Sequence, residues 1–458
     1  MPKKKTALTI EERLQQALVP AEEQPYEVPE NWVWVRLGEV NKYISKSVNP
    51  ISEPDKIFEL YSVPSMADNY PEIIVGSDIG SSKQSVCKDD VLLCKINPRI
   101  NRVWKVSQFT DNELIASSEW IIIRNNHIDA NYLRYCFQSK YFREFMLSNV
   151  SGVGGSLMRA QPKYVQTYPI PLPPLSEQQR IVERIEELFA KLDEAKERLQ
   201  EVADSFAVRK AAFLHKAFTG ELTKQWRREN GVSDESWEES NLGSFIACGP
   251  QNGLYKPKSS YGDGIRIIRI DAFYDGVIEQ WDELKRLRLD ENEIECYSLN
   301  LNDILINRVN SMQYLGKSAL VRELKDICVF ESNIMRLSVD ESRIYPEFLS
   351  SFLNSQMGLN ELRKNAKQAV NQASINQQDI KNVIINLPTL PEQHEIVRLI
   401  DDLLARERKA QQATEQALAS IDLMKKSILA RAFRGELGTN KASEASALEL
   451  LRQVLAEN

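Results

Sequence analysis

Apolar residues recur in alternating steps of four and three along residues 177–218, a segment that is otherwise rich in charge. This is the heptad spacing of a left-handed coiled coil, so the segment is predicted to form one long helix with a single apolar seam. At about 1.5 Å per residue the helix would be roughly 60 Å long. Gly220 is the expected C′ residue. The seam consists of Ile181, Ile185, Leu188, Leu192, Ala195, Leu199, Val202 and Phe206.

The same segment occurs twice. Residues 172–222 align without a gap to residues 387–437, an offset of 215 (387 − 172), and 19 of 51 positions are identical. LPPLSEQQRIV recurs as LPTLPEQHEIV, and AFTGEL recurs as AFRGEL. A repeat of this length means that the fold is built twice. Both copies also have the spacing of a capping box at their start, Ser176 with Gln179 and Thr389 with Glu392.

The second copy keeps the heptad spacing, although Glu407 and Thr414 interrupt it. A helix with a broken seam is a poor partner for itself. We therefore expect the second helix to pair with the first, which also keeps both seams out of water. Its apolar positions are Ile396, Ile400, Leu403, Ala410, Ala417, Ile421, Met424 and Ile428, and Gly435 is the expected C′ residue.

A β-rich region precedes each helix, and the two regions share a few landmarks. Each opens with a Leu-Gly pair (Leu37-Gly38 and Leu242-Gly243). Each has an acidic entry into a short apolar strand (DDVLLCKINPR and NDILINRVN). Each then has a helix-like stretch. The chain is accordingly divided into a terminal helix with a linker (1–30), a first globular domain (31–170), a helical region (171–236), a second globular domain (237–385), and a second helical region with a C-terminal helix (386–458). The terminal segments TIEERLQQAL and SALELLRQVL suit docking onto the long helices.

Net charge is −7, which argues against a passive, charge-driven nucleic-acid binder but leaves room for local basic clefts. No apolar run approaches a membrane span and no signal peptide is evident, so the expected location is the cytoplasm. Six scattered cysteines and three histidines support neither a zinc site nor a disulfide framework, and the cysteines are expected to be buried, reduced thiols.

Catalytic signatures are incomplete. Gly316-Lys317-Ser318 ends like a P-loop, but Ser311 stands where its first glycine should be. Asn97-Pro98-Arg99 begins like an amino-methyltransferase motif but lacks its second proline and its aromatic residue. Glu323 and Lys325 form an isolated E-x-K triplet. We expect no catalytic residue, metal site or cofactor in this chain.

Two basic segments with aromatic and amide neighbours are the better candidates for binding. Their side chains can pair with base edges or hold phosphates, although any one of them alone is better explained as a solvated loop charge. The candidates are Lys95, Asn97, Arg99, Arg102 and Lys105 in the first half, and Tyr255, Lys256, Lys258, Tyr261, Arg266, Arg269, Asn307 and Arg308 in the second. We expect Lys95–Lys105 and Tyr255–Arg269 to lie at corresponding places in two copies of one domain.

The duplicated L-P-x-L-x-E-Q…A-F-x-G-E-L frame resembles the specificity subunit of type I restriction-modification systems, and the Leu-Gly openings, the acidic strand entries and the SALELLRQVL tail agree with it. The resemblance covers nearly the whole chain. It implies an α+β fold in which two target-recognition domains are separated by two long antiparallel coiled-coil helices with pseudo-twofold repetition.

The resemblance also implies a function. Each domain would read one half of a bipartite sequence in double-stranded DNA, and the helices would space the domains. Two modification subunits, which bind S-adenosylmethionine, would dock on the helices, and restriction subunits would join them. The chain itself would not be catalytic. The alternative from another class is a two-headed coiled-coil adaptor that binds proteins and not DNA; a third is a stand-alone endonuclease with a cryptic site.

Overall fold

The computed structural model describes residues 8–152, 158–279, 281–370 and 372–456. The chain divides into two compact units, Met1–Leu199 with Gln416–Asn458 (unit 1) and Gln200–Glu415 (unit 2). Each unit therefore combines one globular part with portions of both long helices. The helices are α1 (Ile10–Ala17), α2 (Leu37–Val40), α3 (Ala130–Gln138), α4 (Lys140–Ser148), α5 (Pro162–Val165), α6 (Leu175–Phe218), α7 (Lys224–Glu229), α8 (Glu291–Tyr297), α9 (Pro346–Leu353), α10 (Gln356–Arg363), α11 (Gln377–Lys381), α12 (Leu390–Ala432) and α13 (Ala447–Ala456).

Unit 1 contains a five-stranded sheet in the order β2-β5-β8-β3-β4 and a three-stranded sheet in the order β7-β6-β9. Two strand pairs, β1 with β12 and β10 with β11, complete it. The strands are β1 (Val33–Arg36), β2 (Ser47–Val48), β3 (Ile57–Tyr61), β4 (Glu72–Val75), β5 (Lys83–Ser85), β6 (Val91–Cys94), β7 (Val103–Lys105), β8 (Glu113–Ala116), β9 (Trp120–Ile123), β10 (Val150–Ser151), β11 (Arg159–Ala160) and β12 (Pro169–Leu172).

Unit 2 has a four-stranded sheet, β14-β23-β19-β21, and two three-stranded sheets, β18-β15-β22 and β20-β25-β24, with the pairs β13–β26 and β16–β17. Its strands are β13 (Glu238–Asn241), β14 (Ile246–Asn252), β15 (Tyr261–Ile268), β16 (Phe273–Tyr274), β17 (Val277–Ile278), β18 (Arg286–Leu287), β19 (Ile304–Asn307), β20 (Val309–Asn310), β21 (Ser318–Leu320), β22 (Cys328–Phe330), β23 (Ile334–Val339), β24 (Lys367–Gln368), β25 (Ala373–Ser374) and β26 (Ile384–Leu387).

The two long helices are confirmed, and they run antiparallel. In unit 1 the Asp193 carboxylate pairs with Lys425, and one turn further along α6 Lys196 lies 4.0 Å from Asp422. In unit 2 Arg209 pairs with Glu407 at 2.9 Å. Glu407 was expected to interrupt the seam, and this ion pair gives it a partner. Thr414, the other interruption, is buried and donates its hydroxyl to the Ala410 carbonyl at 2.9 Å.

The residues of the apolar seam differ in burial along the helices. Ile181, Ile185, Ile396, Ile400 and Ile421 are buried, whereas Leu188, Leu192, Leu199, Leu403 and Ile428 are half-buried. Ala195 and Met424 are exposed, and Val202 is 42% exposed. The expectation of a continuous buried seam is therefore wrong. Near their ends the helices also pack into the globular cores, through Ile181 and Ile185 in unit 1 and through Ile396 and Ile400 in unit 2.

The hydrogen bonds at the starts of the two long helices differ from those of the predicted capping boxes. Because α6 begins at Leu175, Ser176 lies inside the helix. The Glu392 side chain is buried and accepts hydrogen bonds from Thr223, Arg227 and Trp237. The predicted C′ glycines are confirmed, because Gly220 and Gly435 have φ of +76° and +73°.

The terminal helices α1 and α13 contribute to the core of unit 1, together with the end of α12. Leu14 and Ala17 pack in one cluster with Leu451, Val454 and Leu455, and this cluster includes Phe433. The terminal helices therefore share a core with the end of α12, although Ile10, one of the predicted contacts, is 47% exposed.

Two further expectations can be compared with the structure. Cys94, Cys136 and Cys328 are buried free thiols, but Cys87, Cys248 and Cys296 are exposed, so the expectation of burial is wrong for these three. Burial raises the pKa of the Cys328 thiol to about 12. None of the helices in the described part of the chain is long and apolar enough to span a membrane.

Candidate nucleic-acid interface

The two globular parts share a frame that carries the candidate site. In unit 1 the Asp90 carboxylate accepts the Cys87 N–H (2.8 Å) and pairs with Arg124 (2.6 Å) at the entry to β6. In unit 2 Asp303 accepts the Asn300 N–H (2.8 Å) at the entry to β19, and Arg336 lies 3.8 Å away. The residues just before these aspartates, Asp89 and Asn302, have nearly equal positive φ of 69° and 68°. Acidic and amide side chains tolerate this conformation, which explains their place in both strand entries.

Strand pairing extends the correspondence. In unit 1 β6 lies between β7 and β9, and in unit 2 β19 lies between β21 and β23, all antiparallel. The Cys94 N–H donates to the Arg102 carbonyl at 3.0 Å, and the Asn307 N–H donates to the Lys317 carbonyl at 2.9 Å. The connection 95–102 is therefore equivalent to the connection 308–317. We call them reading loop 1 and reading loop 2.

Each reading loop lies against a hairpin of its own unit. Around loop 1, the Asn97 N–H donates to the Met158 carbonyl and the Ala160 N–H donates to the Lys95 carbonyl, both at 2.8 Å. These bonds attach the loop to the hairpin β10–β11. In loop 2 the strand β20 pairs with β25, and the Ile375 N–H donates to the Arg308 carbonyl at 3.0 Å. Loop and hairpin together form one surface in each unit.

Loop 1 is shaped by two residues with left-handed backbone. Asn97 and Asn101 have φ of 46° and 53°, and they flank Pro98, which is buried. The Asn101 amide donates to the Phe137 carbonyl at 3.2 Å, which anchors the loop to α3. Between these anchors Arg99 and Ile100 are exposed. The loop thus presents a guanidinium group beside an apolar side chain.

The other first-half candidates are less free than Arg99. Lys95 and Arg102 are half-buried, and Lys105 lies 3.4 Å from Asp89. Asn97 is half-buried, and its Oδ1 is buried without a partner among the described residues. All five predicted residues lie in or beside loop 1, and Arg99 is the one most open to a ligand.

The second-half candidates do not form one surface equivalent to loop 1. Residues 255–269 lead into and along β15, in the sheet β18-β15-β22, whereas loop 1 corresponds to residues 308–317. The expected correspondence between Lys95–Lys105 and Tyr255–Arg269 is therefore wrong. The sequence was misleading because basic residues can cluster in any loop. Which loops of the two units are equivalent depends on the order of the strands in the sheets, and the spacing of residues along the chain does not reveal that order.

Carboxylates also neutralise several second-half candidates. Lys256 pairs with Glu293 (2.5 Å), Arg266 pairs with Asp326, and Arg269 pairs with Glu331 (3.2 Å). Tyr255 is 82% exposed and Lys258 is also exposed, whereas Tyr261 is half-buried. Their roles in binding remain predictions.

The pair Asn307-Arg308 lies at the start of loop 2. Asn307 is fully buried, so it does not offer its amide to a ligand in this structure. Arg308 is half-buried and donates to the Ser332 carbonyl at 3.1 Å.

Loop 2 contains a lysine that sequence reasoning set aside. Lys317 matches Arg102 in strand register, and its Nζ lies 3.7, 5.1 and 5.7 Å from the ring centroids of Tyr274, Phe273 and Tyr314. Desolvation by this surrounding lowers the pKa of Lys317. Such a cation–π arrangement holds a lysine in place at a partly exposed site. The signal was present in the sequence, as Tyr314 and Lys317, but it was read only as a failed P-loop.

The hairpins add further polar and basic groups that the sequence analysis missed. In unit 1 Arg159 is exposed on β11 and lies 3.2 Å from Glu119. Beside the hairpin, Arg143 of α4 donates to the Arg99 carbonyl. In unit 2 Lys367 and Gln368 are exposed on β24. Among residues the structure describes, no group of histidine, cysteine or carboxylate side chains could hold a metal ion.

Comparison with known proteins gives the family. The family model described as the type I restriction modification DNA specificity domain matches residues 29–204 and again 234–417. The chain is 32% identical over 341 residues to the specificity subunit of the type I restriction enzyme StySPI from Salmonella potsdam, and 28% identical over 343 residues to that of EcoKI from Escherichia coli K12. In both comparisons 72% of each chain is covered.

Solved structures agree in fold. A chain from a structure of type I restriction-modification complex assembly aligns with a TM-score of 0.70, covering 90% of this chain and 100% of that one. The HsdS subunit from Thermoanaerobacter tengcongensis aligns with a TM-score of 0.64, covering 90% and 99%. Sequence identity is 23% in both, so these matches speak for the fold alone. The family model and the curated relatives together show that this chain belongs to the type I restriction modification DNA specificity family and contains its domain twice.

Proposed function

We propose that this chain is the sequence-specific DNA-binding specificity subunit of a type I restriction-modification complex, and that each unit reads one half of a bipartite target through its reading loop and the adjoining hairpin. The observation that carries the assignment is the equivalence of loops 1 and 2, since two loops with the same frame differ in the side chains they present. Loop 1 offers Arg99 and Arg102. Loop 2 offers Gln313, Tyr314 and Lys317.

The chemistry of these side chains suits base reading. Arginine and lysine can pair with guanine O6 and N7, and glutamine can pair with adenine N6 and N7. The remaining hairpin cations, such as Arg159 and Lys367, suit phosphate contacts, which position a protein on the duplex without reading sequence. Because the two loops present different side chains, the two half-sites would have different base sequences. The net charge of −7 is compatible with this, because binding would rest on a few local contacts.

The wider assembly follows the same proposal. The chain contributes no catalytic group or cofactor; two modification subunits, which would carry S-adenosylmethionine, dock on its helices, and restriction subunits join through them. The long helices set the distance between the two reading loops, since α6 and α12 each run through both units. The complex would act in the cytoplasm on double-stranded DNA.

A half-site experiment tests the proposal. Arg99→Ala and Lys317→Ala should each weaken binding of the complex to its target by roughly 1–3 kcal/mol and relax recognition in one half only, and in opposite halves. Arg452→Ala on α13 removes the same charge from a 44% exposed side chain outside both loops and both long helices, and serves as the control. The measurement is binding to a library of duplexes randomised in one half at a time. Equal relaxation of both halves, or none, would contradict the assignment of the loops.

A further inference from the structure

Unit 2 contains a cleft between its portions of the two long helices and its globular part. Its volume is about 730 Å³, within the usual range for ligand pockets. One wall comes from α6 (Phe206 and Lys210) and another from α12 (Asp401 and Leu404). The helix α9 and the hairpin β16–β17 add further lining, together with Glu279 and Arg322. All of these residues belong to unit 2.

The internal repeat shows what fills the equivalent place in unit 1. Helices α3 and α9 correspond at an offset of 216 (345 − 129): the Gln178 side chain accepts the Asp129 N–H at 2.8 Å, and the Gln393 side chain accepts the Tyr345 N–H at 2.7 Å. The same register matches Tyr132, which packs on Phe433, with Phe348, which packs on Phe218. Arg134 and Tyr135 therefore correspond to Ser350 and Ser351.

In unit 1 these two large side chains fill the space beside α6. The Tyr135 ring packs edge-on against Phe189 (5.9 Å between centroids), and its hydroxyl lies 3.4 Å from Glu186. Arg134 lies over the Tyr135 ring at 4.4 Å and 3.5 Å from the Glu186 carboxylate. The filling is thus an arginine and an aromatic ring held by one carboxylate.

In unit 2 the receiving groups remain while the filling is replaced by serines. Glu186 corresponds to Asp401 and Phe189 to Leu404 at the helix offset of 215 (401 − 186). Ser350, Ser351, Asp401 and Leu404 all line the cleft. Two serines cannot supply the ring or the cation that Tyr135 and Arg134 supply in unit 1.

The charges lining the cleft are of both signs. Lys210 is paired with Asp275 (3.0 Å), and Glu407 with Arg209 (2.9 Å). Arg322 donates to the Gly276 carbonyl at 3.1 Å, and Arg408 donates to the Leu404 carbonyl at 3.3 Å. Asp401 and Glu279 form no ion pair within the described ranges. Beside its apolar wall the cleft therefore offers two carboxylates and two arginines that are in no ion pair among the described residues. Asp401 stands at the place of Glu186, the carboxylate that holds Arg134 in unit 1.

We propose that this cleft receives an arginine and an adjacent aromatic side chain from a modification subunit, in place of the pair that unit 1 supplies from its own α3. This inference rests on the proposed function and goes beyond it, because it makes the two docking surfaces unequal. A buried aromatic ring beside an arginine is the usual composition of an interface hot spot. The surface of unit 2 depends on its partner for these groups, and the surface of unit 1 does not.

Two variants test the cleft in the full-length chain titrated with its modification subunit. Ser350→Arg with Ser351→Tyr fills the cleft with the residues of unit 1, and Asp401→Asn removes its unpaired charge. Each should weaken binding of one modification subunit at least tenfold, so that native mass spectrometry at intermediate concentration finds one bound subunit where the wild type binds two. Asp263→Asn is the matched control, because this carboxylate of unit 2 is 89% exposed, pairs with Arg288 and lies off both long helices and outside the cleft lining.

The other outcomes separate the two claims. If both variants bind two modification subunits with wild-type affinity, or lose affinity equally at both sites, the assignment of the cleft is overturned while the proposed function stands. If the wild-type chain binds no modification subunit, the proposed function fails and the assignment with it. Self-association of the wild type that Asp401→Asn abolishes would identify a second copy of this chain as the occupant and would overturn the assignment.

Discussion

Glu177 and Glu392 stand at equivalent positions of the repeated frame and are both fully buried, but their partners differ. Glu177 accepts hydrogen bonds from neutral donors, Trp32 Nε1 (2.8 Å) and Asn440 Nδ2 (2.9 Å). Glu392 accepts from Trp237 Nε1 (3.1 Å) and also from Arg227 (2.6 Å), which is itself almost fully buried. Glu177 is therefore a buried carboxylate that is bonded only to neutral donors, whereas the equivalent Glu392 belongs to a buried ion pair.

This difference predicts opposite effects of one substitution. Glu177→Gln keeps the acceptor for Trp32 and Asn440 and removes a buried charge, so the free energy of unfolding at pH 7 should change by less than about 1 kcal/mol or increase. Glu392→Gln leaves Arg227 without its main counter-charge and should cost about 2 kcal/mol or more. Urea unfolding of both variants checks this. Equal losses in the two variants would show that the two carboxylates are energetically alike.

The buried Glu177 also predicts that the stability of the fold depends on pH. Burial raises the pKa of Glu177, with the hydrogen bonds from Trp32 and Asn440 opposing the shift. The folded state therefore holds this proton more tightly than the unfolded state does, and stability falls as pH rises from the ordinary glutamate pKa through the raised value. Glu177→Gln resembles the protonated form, so its advantage over wild type should grow between pH 4 and pH 7. An advantage that shrinks over this range would contradict the sign.

At the scale of elements, the ends of the long helices were predictable and their packing was not. The repeated Gly-Glu-Leu sequence predicted the C′ glycines that follow both helices, and the heptad spacing predicted the length of both helices. The spacing also predicted burial of Ala195, Val202 and Met424, which are exposed and belong to no core cluster of the described residues. The helix-like stretch after each sheet is in fact two helices, broken at Ser139 and Ser355, whose hydroxyls accept the N–H groups of Phe142 and Gly358.

A pair of glycines in unit 1 separates backbone strain from close packing. Gly435 and Gly438 both have φ of +73°, but a Cβ on Gly435 would overlap the Pro29 ring, whereas a Cβ on Gly438 would meet nothing within 4 Å. Gly438→Ala should cost about 1 kcal/mol for the left-handed backbone, and Gly435→Ala should cost clearly more. Thermal unfolding of the two variants measures the difference, and equal losses would mean that the contact with Pro29 relaxes freely.

At the scale of the whole molecule, the repeat predicted two units, and candidate residues were predicted in both, but only those of the first half lie together in and beside one loop. Loop 1 was found because Lys95–Lys105 is both basic and adjacent to an acidic strand entry. Loop 2 was missed beyond Arg308 because the ring nearest to Lys317, that of Tyr274, is 43 residues away along the chain (317 − 274), and the local pair Tyr314 and Lys317 does not predict that approach. The order of the strands, which brings each loop beside its hairpin, likewise cannot be predicted from the spacing of residues along the chain.

The proposed role of the helices gives a prediction at this scale. Inserting one heptad into both α6 and α12 at matching levels preserves the seam and lengthens each helix by about 10 Å. The unread gap between the two half-sites should then grow by about three base pairs, with neither half changed. Methylation of a set of plasmids with graded gaps measures this. A gap that stays fixed would mean that the helices do not set it.

The central claim is that this chain alone decides a two-part target. The most direct measurement is genome-wide mapping of adenine methylation in a host that carries the modification subunit with the wild-type chain, with Arg99→Ala, with Lys317→Ala, or with no specificity chain. The account predicts a split motif that appears only with the wild-type chain and degenerates in one half with each variant, in opposite halves. Methylation without this chain, a contiguous motif, or a motif that both variants leave unchanged would contradict it.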